Sequence, residues 1–178
     1  MDERSCLRLW LDFRSRVGAR VIRVKVEQDI PAPPEAVFAL ALDTERFPAM
    51  FIGCGPVPAL RRIVPNSPAG IGATRRVESV DGTRLLETIT FLQFPSRHSY
   101  SVAGFRPPLA WLVRRGHADW TFSPSGHGTR VCWCYDWEAA SAVAQPIAWG
   151  LLRWFMRGAM AGCLQAMAAE LARRRETV

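Results

Sequence analysis

The C-terminal segment constrains the fold more than any other part of the chain. From about Ala144 to Arg174, Ile147, Leu151, Phe155, Ala159, Cys163, Met167 and Leu171 recur at every fourth position, a spacing that lines them down one face of a helix. About 30 residues at 1.5 Å per residue make a rod of about 45 Å. Such a rod needs a partner that wraps around its apolar face. Pro146 fits only the first helical turn, and Arg173, Arg174 and Arg175 complement the negative end of the helix dipole.

The partner is written in the preceding residues as strands. Over 21–30, Ile22, Val24, Val26 and Ile30 alternate with Arg23, Lys25, Glu27 and Asp29, the period of a half-buried strand. Pro31, Pro33 and Pro34 end it. Pro33-Pro34-Glu35 then opens a short helix carrying Val37, Phe38, Leu40 and Ala41. Asp43 or Thr44 caps a second short helix, Glu45 to Phe51, before Gly53, Gly55, Pro56 and Pro58 break the chain into a loop. Strands are expected near 59–64, 72–80, 83–94, 97–104, 116–123 and 128–138, with 108–114 a candidate helical turn. Asp81-Gly82 marks a hairpin that makes its flanking strands antiparallel neighbours. Strand, two short helices, six strands and a long helix predict an α+β layering, with a strongly twisted antiparallel sheet curled around the helix and space left between them.

At 178 residues the chain has the length of one domain, and 49% hydrophobic with 22% charged residues is globular composition. The formal charge of +7 comes from arginines scattered in short runs, with Lys25 the only lysine; no basic stripe interleaved with stacking aromatics appears, and no nucleic-acid partner is expected. Cys6, Cys54, Cys132, Cys134 and Cys163 form no C-x-x-C pair and have no histidine at zinc spacing, which predicts reduced cysteines, a cytoplasmic protein and no metal site. Cys132 and Cys134 share a strand face as small filler side chains. Neither a secretory signal nor a membrane span is expected, because charges interrupt every apolar run. G-x-S-x-G, P-loop, H-E-x-x-H and G-x-G-x-x-G patterns are missing, and no cofactor is expected.

Alternation also sorts the sheet's faces. Val131, Trp133, Tyr135 and Trp137 share one side of the last strand; Ala118, Trp120 and Phe122, then Tyr100 and Val102, belong with them on the concave side. Glu87, Ile89 and Phe91 have the matching parity. Arg75, across the Asp81-Gly82 hairpin, falls opposite Glu87. Two placements of that pair stand open: inward, orienting a ligand or serving as a base with a raised pKa, or outward on the wet face. His98 shares parity with Tyr100, whereas His127 falls in a glycine-rich turn. Arg153 and Arg157 stand one turn apart on the long helix, as a candidate site for an anionic headgroup or carrier-protein surface, or as a plain solvated face.

The patterns VEQDIPAPPEAVF from Val26 to Phe38, DTERFP from Asp43 to Pro48, Glu87 with Pro95 and Tyr100, and WTFSPSGHGTRVCW from Trp120 to Trp133 resemble the START-like (SRPBCC) superfamily, in its polyketide cyclase/dehydrase and lipid-transport branch. The resemblance covers about residues 20–172, leaving 1–19 as an N-terminal extension that reads as a candidate surface helix whose Leu7, Trp10 and Leu11 dock on the body or on a membrane. It implies a helix-grip fold and a cavity for a lipid, quinone or aromatic molecule. Ligand contacts are then expected from Arg75, Glu87, Ile89, Phe91, Tyr100, Trp120, Phe122, Trp133, Tyr135, Leu151, Phe155 and Ala159. The alternative is a cyclase or aromatase using Glu87, His98 and Tyr100 to move protons, and a third reading is a protein-interaction module. Monomer and dimer stay open.

Overall fold

The computed structural model describes residues 21–126 and 128–176, with the side chains of 175 and 176 left aside. The predicted N-terminal extension and His127 lie outside the described residues. Strand β1 spans Val21–Ile30; helices α1, Pro34–Leu42, and α2, Phe47–Met50, follow it. Asp43 holds the entry to α2: its Oδ1 accepts from the backbone N–H groups of Glu45 and Arg46 at 3.0 and 2.9 Å. Six strands come next: β2 Leu60–Pro65, β3 Thr74–Ser79, β4 Arg84–Gln93, β5 Arg97–Ala103, β6 Val113–Ser125 and β7 Gly128–Ala139. The stretch before β6 contributes a single 3₁₀ turn, Leu109–Trp111.

All pairings are antiparallel, and the seven strands lie in the order β1-β7-β6-β5-β4-β3-β2. The first and second strands therefore become opposite edges, and the chain between them, α1 and α2, crosses the concave side. Register shifts at Leu60/Arg62, Ile89/Phe91 and Val113/Arg115 mark bulges, which bend and twist a sheet. Gly82, at φ 83° in the β3–β4 turn, occupies the left-handed region that the Asp-Gly signal requires.

The C-terminal segment is helical throughout but not uniform. Helix α3, Gln145–Leu151, passes through a π-turn at Leu152–Met156 into α4, Arg157–Glu176. Along α4 the expected stripe holds: Ala159, Cys163, Met167 and Leu171 are buried, joined by Met160 and Leu164. Upstream it slips by one position. Ile147 and Phe155 are exposed, and Ala148, Leu152 and Met156 are buried in their place. A π-turn carries more residues per turn than an α-helix, so a single four-residue period cannot run through both halves. Helix α4 packs across β1, with α1 and α2 beside it, and these surfaces share one core that includes Val24, Val26, Trp120 and Trp133.

Candidate functional site

Strand pairing assembles three rows on the concave face. Arg75, Glu87, Val102, Gly116 and Trp137 stand opposite one another across β3 to β7; Ile89, Tyr100, Ala118 and Tyr135 form the next row; Leu92, His98, Trp120 and Trp133 the third. The rows carry rings in contact. Trp120 stacks on Trp133 with centroids 4.0 Å apart, and Tyr135 lies 4.3 Å from Trp137. Small residues on β6 make room for them: a Cβ on Gly116 would sit 2.7 Å from the Tyr135 ring and 3.3 Å from Trp137.

The rings and helices do not fill the interior. A cavity of about 230 Å³ separates the concave face from the helical segment. Its floor is Tyr100, Trp120, Trp133, Tyr135 and Trp137; Leu151, Leu152 and Met156 roof it; the 56–58 and 105–109 loops close its sides. The walls are mainly apolar, with a polar group at one end.

That polar group is the buried pair Arg75 and Glu87. Glu87 Oε1 accepts from Arg75 Nε at 2.6 Å and forms an ion pair with Nη2 at 2.5 Å, and both residues line the cavity. The inward placement is therefore the one the fold adopts. Arg75 also lies 5.8 Å from the centre of the Tyr100 ring. Burial pushes the Glu87 carboxyl above its ordinary range, against the opposing pull of the Arg75 charge and hydrogen bond. Burial, reinforced by the Arg75 charge, drives His98 down to about 3, so its imidazole is neutral at physiological pH. The Tyr100 and Tyr135 hydroxyls are raised by burial and stay protonated. The site thus presents a buried cation–carboxyl pair, its carboxyl poised high, with neutral donors in mainly apolar surroundings, and Asp81, Thr83 and Arg106 also line the cavity.

Of the residues expected from sequence, Arg75, Glu87, His98, Tyr100, Trp120, Trp133, Tyr135 and Leu151 come together around the cavity. The others do not. Ile89 is buried beside the cavity without lining it. Phe91 is turned away: the bulge after Ile89 pairs it with Ser99 on the opposite face, where Arg97 lies over its ring at 5.1 Å. Phe122 packs edge-on against Phe38 at 5.2 Å. Ala159 is buried in the core beyond the cavity. Phe155, rotated outward by the π-turn, packs on the loop at Gly55, where a Cβ would lie 2.4 Å from its ring. Sequence reasoning missed Leu152 and Met156, hidden by that same turn. It also missed Phe105, Pro107, Pro108 and Leu109, whose irregular loop carries no period to read.

Against this geometry, a model of the family described as polyketide cyclase/dehydrase and lipid transport matches residues 21–172. The chain belongs to that family. The polyketide cyclase/dehydrase and lipid transport match spans every described strand and nearly all of the C-terminal helix, the elements that enclose the cavity. No curated protein sequence matches the chain. Solved structures share its START-like fold at low identity. The Zhui aromatase/cyclase from Streptomyces is 15% identical with a TM-score of 0.69, covering 86% of this chain and 95% of its own. Norcoclaurine synthase from Thalictrum flavum, a point mutant in complex with a transition-state analogue, is 12% identical at 0.67, covering 89% and 99%. Ara h 8.0201 is 14% identical at 0.67, covering 86% and 99%. At these identities the likeness is one of fold.

Proposed function

We propose that this family member binds an apolar, ring-sized small molecule in the cavity, with the Arg75–Glu87 pair receiving its one polar group. The carrying observation is the void itself, with aromatic walls and a buried ion pair at one end. An apolar cavity of about 150 Å³ is enough to take up benzene, so about 230 Å³ suits a body of one to two fused rings. Affinity comes mainly from apolar burial, at ~25 cal/mol per Å², and orientation from the polar end. Organic extraction and native mass spectrometry of the purified chain should reveal a co-purifying apolar species, or empty protein should take up a fluorescent naphthol. Absence of both contradicts the reading.

One observation favours a second reading, an aromatase- or cyclase-type enzyme. Glu87 is a carboxyl whose pKa burial raises, which is what a general acid–base group working near neutral pH needs. Catalysis predicts that Glu87→Gln removes turnover while leaving affinity for the bound molecule nearly intact. Parallel loss of both favours the carrier.

A further inference from the structure

Among the described residues the three exposed tryptophans, with Ile147 and Ile52, lie on segments that wall the cavity, while Ile71, Val80, Leu86 and Phe94 are exposed elsewhere. Trp149 is 53% exposed, Trp154 76%, Ile147 62%, Trp111 70% and Ile52 69%. They belong to the α3–π segment, the loop before β6 and the loop after α2, each of which also lines the cavity through other residues, Leu151 and Leu152, Pro108 and Leu109, and Val57 and Pro58. These segments touch one another. Ala140 N–H donates to Leu112 O at 2.8 Å, tying the 3₁₀ turn to the entrance of α3. Phe155 packs on Gly55, and Gly158 faces Cys54.

Charge is segregated in the same place. No Asp or Glu occurs in 46–77, 104–118 or 139–169, although the chain has 16 acidic residues. Arg106, Arg114, Arg115, Arg153 and Arg157 are exposed there, and none has a carboxylate partner among the described residues. Arg153 lies over the Trp149 ring at 5.7 Å. Acids border this region at three points: Asp81 and Glu87 line the cavity, where the Asp81 carboxylate accepts from Thr83 and Glu87 is held by Arg75, and Glu138 stands across from Arg115 in the β6–β7 register. Exposed tryptophans beside unpaired arginines match a bilayer surface: the indole ring settles at the headgroup level and arginine pairs with anionic phosphate.

We infer that the cavity-walling segments that carry Trp111, Trp149 and Trp154 dock on an anionic membrane, with Arg153 and Arg157 on lipid headgroups. Docking there sets the loops that close the cavity against the bilayer. This rests on the binding reading only for its purpose, and the two are measured separately.

The test is flotation of the full chain with phosphatidylcholine vesicles, with and without phosphatidylglycerol, across a salt series. The chain should float with the phosphatidylglycerol vesicles, little with phosphatidylcholine alone, and less as salt rises. Arg153→Glu with Arg157→Glu should weaken association by at least tenfold, since each headgroup contact is worth about fivefold. Trp149→Ser with Trp154→Ser should do the same. Both variants should keep the wild-type circular dichroism spectrum and naphthol uptake. No flotation at low salt, or flotation unchanged in both variants, overturns the inference. So does a dimer in size-exclusion chromatography that the tryptophan substitutions split in the absence of any vesicle binding, because the face is then a self-contact. Flotation without naphthol uptake sinks the cavity reading and leaves the membrane face standing.

Discussion

His98 is the residue whose environment makes the sharpest demand. Its ring nitrogens are buried, and burial with the Arg75 charge outweighs the Phe91 backbone and Asp119, so its pKa falls from 6.5 to about 3. Between those values the unfolded chain binds a proton that the folded chain refuses, so stability is full above pH 6.5 and is lost as pH falls toward 3. Urea denaturation should show His98→Leu flattening that acid-side slope. Glu87 poses a different question, because removing one member of a buried ion pair strands the other. Glu87→Gln should destabilise by about 3–5 kcal/mol, and Arg75→Met with Glu87→Leu should recover most of it. If the single substitution is neutral to denaturant, the pair is not buried as described. On the convex face, Cys132 and Cys134 lie 3.9 Å apart, sulfur to sulfur. The Cys134 hydrogen bond, with Lys25 nearby, brings Cys132 down from 9.0 to about 7 despite burial. Iodoacetamide labelling at Cys132 should therefore rise with a midpoint near pH 7, and Cys134→Ala should move that midpoint upward; an unmoved midpoint contradicts the pairing.

At the scale of elements, legibility followed periodicity. β1 is stated outright by its alternation, and the Arg75–Glu87 juxtaposition follows from parity across an Asp-Gly turn, since pairing rules fix both. Where an element carries one residue too many, the same arithmetic misleads. The bulge after Ile89 sends Phe91 to the outer face, and the π-turn at Leu152–Met156 exchanges Phe155 for Met156. Neither irregularity has a local signature, because tertiary packing rather than propensity selects it. The 105–109 loop was unreadable for a simpler reason: its prolines announce a break, not a direction. Gly116 opens an expected strand with nothing in the sequence to mark its role, yet it is where Tyr135 and Trp137 lie against β6. Gly116→Ala should cost about 1–3 kcal/mol in urea denaturation by overpacking those rings, and should lower affinity for an aromatic probe. Unchanged stability would mean the rings have room to move.

For the molecule as a whole, the sheet and helix grip each other at one end and part at the other. Helix α4 packs broadly along β1, while α3 and the π-turn touch β1 more lightly and roof the cavity. The exposed tryptophans and the arginines beside them belong to the segments at the parted end, so the proposed docking surface and the proposed binding space share the same segments. The central claim is that this space holds an apolar ring. Isothermal titration calorimetry with 1-naphthol tests it directly, comparing the wild type with Leu109→Trp, which fills the cavity from its half-buried wall. The account predicts saturable one-to-one binding with a negative heat-capacity change, weakened at least tenfold in the variant. No saturable heat, or equal binding by a variant that remains folded, would contradict it.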